Sequence, residues 1–173
     1  YDVSATATQR FFATVQNKMH WAAHGHTAAE VVHRRADAAK SNMGLTHVPR
    51  AGRVRKQDVG VAKNYLAADE LEALNRIVNA YLEFAELQAK GKRLMYMMDW
   101  IGKLDDFLRL SDREILTHAG TVSHEMAQLK AEPAYQAYRT RVDVEPRAVD
   151  ADFDAAVKRL PKRRRKKRDE GDQ

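Results

Sequence analysis

The sequence predicts an all-α fold: a helical bundle around a long central helix, with a disordered basic C-terminal tail. Three observations carry this. Apolar residues recur at steps of three and four along several stretches, no stretch alternates with the period of two of a half-buried strand, and only 8 Gly and 4 Pro interrupt 173 residues. A chain of this length holds one domain with its own core. The patterning places that domain at residues 1–141, with 142–173 as linker, short helix and polybasic tail.

The first helix follows from Phe12, Val15, Met19 and Ala22, about three turns closed near Gly25. Thr27 and Glu30 then have the spacing of a capping box, which opens a second helix through Val31 and Val32 to about Ala39. Residues 40–57 contain Gly44, Pro49 and Gly52 without periodicity and read as a loop, after which Asp58 caps a short helix through Val61 and Tyr65. Leu71, Leu74, Val78, Tyr81 and Ala85, widened by Ile77, Phe84 and Leu87, form the central helix, stopped by Gly91. Its heptad spacing also suits a dimer seam, but the breadth of the face favours a buried core helix. Its start has Ala67 where Ser, Thr or Asp is preferred. Trp100, Ile101, Leu104, Phe107 and Leu108 make the next amphipathic helix. Ser111 with Glu114, and Leu110 with Ile115, predict a capping box and a staple that start another, carrying Leu116, Ala119, Val122 and Met126. Weaker helical stretches follow at about 133–140 and 151–160.

The charge is unevenly placed. The formal net charge is +6, yet Lys162, Arg163, Arg164, Arg165, Lys166, Lys167 and Arg168 run unbroken, and residues 1–161 carry only 23 basic against 21 acidic groups. Such a block repels itself and attracts phosphate polymers, releasing their counterions on contact. It reads either as a solvated tail or as a sequence-independent nucleic-acid arm. Zero Cys excludes a disulfide scaffold, a thiol nucleophile and a Cys-ligated metal. The opening residues lack a signal-peptide pattern and no run is long enough to span a membrane, so a cytoplasmic protein without membrane contact is expected. The start at Tyr1 reads as a fragment lacking its own beginning.

Inside the fold, Arg50, Arg53, Arg55 and Lys56, followed by Lys63, are the best candidates for binding nucleic-acid phosphates. His20 and His24 share a helix face, and His124 is the third candidate for a histidine-lined catalytic pocket. The pair lacks the glutamate of a zincin, since Trp21 follows His20, so no metal site is assigned. No Gly-rich phosphate loop and no nucleophile elbow occur, and no cofactor is expected. The turn at Gly25 invites a helix-turn-helix reading, which the bulky Trp21 opposes.

Four ordered segments are specific to one family: QNKMHWAAHGHTAAEVVHRRADAAKSNMGLT, RKQDVGVAKNYLAADELEALNRIVNAYLEFAELQA, MMDWIGKLDDFL and DREILTHAGTVSHEMA. They resemble the carboxy-terminal region of the RhuM virulence-protein family over roughly residues 1–130, and everything after Glu132 lies outside the resemblance. The resemblance implies a longer chain whose upstream half looks like a helix-turn-helix DNA-binding module, encoded in pathogenicity islands or mobile elements. Some members are joined to a death-on-curing type toxin domain. It brings no biochemical activity. The expected function is therefore a non-catalytic effector or assembly domain with sequence-independent affinity for DNA or RNA. The alternatives are a toxin-like enzyme acting on nucleic acid or nucleotides through His20, His24 and His124, and a dimerisation domain forming a homo-oligomer.

Overall fold

The computed structural model describes residues 5–49, 53–92 and 94–144. Helix α1, Ala5–His24, starts well before Phe12 and ends as expected at Gly25, whose φ of +75° lets its N–H return to the Trp21 carbonyl at 2.8 Å. Met19 and Ala22 are buried, but Phe12 is 61% exposed. Helix α2, Ala28–Arg35, opens on the predicted capping box: Glu30 N–H donates to Thr27 Oγ1 at 3.3 Å and Thr27 N–H donates to Glu30 Oε2 at 2.9 Å. It stops four residues before Ala39. Ala36 turns extended, and the Asp37 carboxylate accepts the Ala39 N–H at 2.9 Å in a local turn that competes with further helix.

A 3-10 turn at Ser41–Gly44 seats Met43 and Leu45 in the core. Asp58 does not cap a helix running to Tyr65. Helix α3 is a single turn, Lys56–Val59, and Asp58 occupies its third position, where Oδ2 accepts the Arg55 N–H at 3.0 Å. The chain then breaks at Gly60 and Val61 into a second 3-10 turn, Ala62–Tyr65, instead of continuing as one helix. The Tyr65 hydroxyl donates to the Val59 carbonyl at 2.9 Å and fixes this corner.

Helix α4, Ala68–Lys90, is the longest element and buries Leu74, Ile77 and Tyr81. Ala67 contributes no cap; Glu70 does so instead by accepting the Ala67 N–H at 2.8 Å. Helix α5, Met97–Leu110, buries Leu104 and Leu108 completely, and its Trp100 carbonyl accepts the Tyr81 hydroxyl at 2.6 Å. Tyr81, Phe84 and Phe107 cluster with ring centroids 5.7–6.3 Å apart.

The helix expected from Ser111 does not form. Ser111 ends α5: its hydroxyl donates backward to the Phe107 carbonyl at 2.9 Å, and Asp112 adopts φ +52°. Residues 113–123 form an irregular strap without helix. It sends Leu116 into the core while Ala119 remains exposed. Helix α6, His124–Val144, begins where Ser123 Oγ accepts the Met126 N–H at 3.2 Å. Its buried stripe is Ala127, Ala131, Tyr135 and Tyr138, with Met126 half exposed. The expected helical stretch at 133–140 lies within it.

Helix α1 packs on α2, α4 and α5, and α2 packs on the 3-10 turn at Ala62–Tyr65. Lys56 pairs with Glu132, and Lys130 Nζ donates to the His33 carbonyl, joining α6 to α3 and α2. Among the described residues the protein is all-α, with no strand and no helix long and apolar enough to cross a membrane. Contacts divide the chain between Tyr138 and Arg139 into two units, and the packing above belongs to the first. The expected helix at 151–160 and the basic tail lie outside the described residues.

Candidate functional site

Three places in the first unit carry chemistry. The first is the polar interior beside α1. His20 is 2% exposed, and its Nδ1 lies 2.9 Å from His24 Nε2, the helical i,i+4 spacing having brought the two rings edge to face. Burial, with His24 as second cause, pushes the His20 imidazole down to about 4. His24 is also lowered, mainly by burial and then by Arg35 and His26, with Glu70 opposing. Its Nδ1 is buried without a hydrogen-bond partner. Both rings are therefore neutral at pH 7, and a single shared proton suffices for the bond between them.

The charges next to this pair are committed to the fold. Arg35 makes a bidentate bond to Glu70, 2.6 Å at each oxygen, and donates to the Tyr65 carbonyl at 2.8 Å. That contact holds the Glu70 carboxyl down to about 2 and raises Arg35. Glu30 is 2% exposed and receives, besides the cap, the N–H and hydroxyl of Thr121, both at 2.7 Å. Burial opposes its charge, but the bonds from Thr121 and Thr27 outweigh burial and hold the carboxyl down to about 2. Lys18 runs under the strap, donating to the Leu116 carbonyl at 2.9 Å and pairing with Asp105 at 2.8 Å. Each of these groups ties two elements together.

His124 stands apart from the α1 pair in its engagement: it is exposed at the start of α6, with Nε2 2.9 Å from the Gln128 amide. The strap histidine that reaches α1 is His118, whose ring meets Trp21 edge-on at 4.9 Å. Among the described residues, no group of three His, Asp or Glu side chains is placed to hold a metal ion.

The second place is the basic segment. Arg53, Arg55, Lys56 and Lys63 are exposed, and Lys56 pairs with Glu132 at a hollow of about 280 Å³. Arg50 and the run Lys162, Arg163, Arg164, Arg165, Lys166, Lys167 and Arg168 lie outside the described residues.

The third place was not foreseen from the sequence. A groove of about 780 Å³ opens between α1, the second half of α4 and the segment entering α5. Met19 and Tyr81 are buried at its base, and Phe12, Leu82, Leu94 and Tyr96 stand 60–86% exposed around it. None of its described lining residues is charged. One signal could have found it: Leu94, Met95, Tyr96, Met97 and Met98 form an unbroken apolar run that no amphipathic helix needs in full. The missed ionic contacts had no comparable signal beyond single charges set beside buried positions, Lys18 before Met19 and Glu30 before Val31.

Compared with known proteins, the chain matches the model of the Virulence protein RhuM family over residues 1–145, so the match also takes in residues 133–145, which the sequence resemblance left out. No curated protein and no solved structure matches it.

Proposed function

The chain belongs to the RhuM virulence-protein family, and from that premise we propose that its first unit is a non-catalytic assembly domain with added, sequence-independent affinity for nucleic acid. One observation carries the reading: among the described residues the ionic groups inside the bundle are spent on structure, while a groove of about 780 Å³ is lined by uncharged, mostly apolar side chains. Glu30, Arg35, Glu70 and Lys18 each bridge elements of the fold. A site for polar chemistry is built the other way, with charged groups turned toward a cleft. The toxin-like enzyme has less support, because His20 is buried against His24 and His124 is engaged with Gln128 on the surface.

The phosphate affinity rests on exposed Arg53, Arg55 and Lys63 together with the seven-cation run at 162–168. Two assays test the proposal. In a salt titration of fluorescent DNA and RNA, a chain ending at Leu160 has a slope shallower by several ions than the intact chain, and R53E/R55E/K63E in the intact chain removes about two to three more. Absence of binding by the intact chain at low salt removes nucleic acid from the proposal. Incubation with DNA, RNA and nucleotides gives no turnover; turnover that His20→Gln abolishes in a folded variant replaces the assembly domain by the enzyme.

A further inference from the structure

We propose that the apolar groove between α1, α4 and the segment entering α5 is closed by the same groove of a second copy of this chain, forming a two-fold dimer. The inference rests on the assembly reading above and names its partner.

The chemistry of the groove selects a protein. Its twelve described lining residues include no Asp, Glu, Lys or Arg, so these side chains offer no charge to a phosphate backbone or an acidic peptide. A small apolar ligand seated on Met19 and Tyr81 would leave the rim wet, because Leu94 is 86% exposed, Tyr96 69% and Phe12 61%. Covering those side chains takes a macromolecular surface.

Area and shape favour a second copy. Of the lining residues, Phe12, Leu82, Leu94 and Tyr96 are each 60–86% exposed. At roughly 150–250 Å² for a large aromatic side chain and somewhat less for Leu, they present on the order of 500 Å² of apolar surface. That is more than half of the ~800 Å² that each partner contributes to a standard stable interface, before any rim residue is added, and it lies in the upper part of the range that a monomer leaves uncovered. A two-fold interface requires one patch to carry both protrusion and hollow. This patch does: Phe12 and Leu94 project beside a hollow whose base is Met19 and Tyr81. The exposed charges beyond Leu82 along α4 include both signs, Glu83 and Glu86 with Lys90, so two copies need not bring a single-sign field together.

Sedimentation of the full chain over about 1–100 μM tests this. The wild type sediments as a dimer that dissociates on dilution, and Leu94→Asp and Leu82→Glu, made separately, each weaken it by about 100-fold or more, since a two-fold axis counts each lost apolar side chain twice. Both positions are exposed in the single copy, so the helical circular dichroism of each dissociated variant matches that of dissociated wild type. Wild type of monomer mass throughout the range overturns the inference, as does a dimer that neither variant weakens. A monomer stabilised by an added amphipathic helical peptide also overturns it and gives the groove to another protein. Those failures leave the non-catalytic reading standing; that reading falls only to the turnover assay.

Discussion

Acidification should weaken this fold over two pH ranges, a first and a second stage, and His20 sets the first. Its ring is 2% exposed and lies against His24, and the fold lowers it from the ordinary 6.5 to about 4. Between those values the unfolded chain takes a proton that folded His20 refuses. Stability is therefore complete above pH 6.5 and is lost as pH falls toward 4. The difference corresponds to ~3 kcal/mol at the lower end, a large share of the 5–15 kcal/mol typical of a domain. Because the rings share one hydrogen bond, the measured proton uptake belongs to the His20–His24 pair. Urea unfolding followed by circular dichroism from about pH 7.5 to about pH 4.5 reads the loss directly, and His20→Gln flattens most of it whatever the variant costs at neutral pH. Equal pH slopes for wild type and His20→Gln, or a His20 imidazole that titrates near 6.5 by NMR in the folded protein, would falsify the argument.

The second stage belongs to Glu30 and Glu70, each lowered from 4.5 to about 2, so their contribution is present above pH 4.5 and disappears as pH falls toward 2; Glu30→Gln should remove part of that lower branch in the same urea series. Gly120→Ala should lower stability by about 1–3 kcal/mol, because the new Cβ meets Thr27 Cγ2 at 2.9 Å and the backbone holds φ +87°; an unchanged melting temperature would show that the strap does not press on the α2 cap. Tyr81→Phe removes the 2.6 Å bond to the Trp100 carbonyl and should cost about 1 kcal/mol with little change in helical signal. Arg35→Lys keeps the charge but loses the bidentate geometry toward Glu70 and should cost about 1–2 kcal/mol by urea unfolding, where no loss would mean that charge alone suffices.

The same short pattern was informative at one helix start and misleading at another, and the difference is physical. Thr27-x-x-Glu30 and Ser111-x-x-Glu114 have equal spacing. Thr27 accepts from the Glu30 N–H, and Val31 and Val32 beyond it are buried, so packing supports the cap. Ser111 instead donates back to Phe107, because the chain must leave α5 there for Leu116 to reach the core. A hydroxyl serves as donor or acceptor with equal chemistry, and only tertiary packing decides which. Stripes at helical spacing were legible wherever both period and stop signal were present, as in α4 up to Gly91. Little of the candidate site was. The His20–His24 pair follows from spacing, but Glu30 meets Thr121 across 91 residues and Lys18 meets Leu116 across 98, separations that no local pattern encodes. The groove escaped for the opposite reason: Phe12 belongs to a regular apolar stripe yet faces outward, and a stripe does not declare which of its members lacks a neighbour.

The strap at 113–123 also governs when the protein can finish folding. Helices α1 and α2 are made before the strap, so the Glu30 carboxylate and the Lys18 ammonium find their final partners only after Leu116 and Thr121 have been made. Loops of this length close slowly compared with the local contacts of a helical hairpin. A chain truncated before Thr121 keeps the two residues of the α2 capping box but loses both bonds from Thr121 that make Glu30 a stable interior charge.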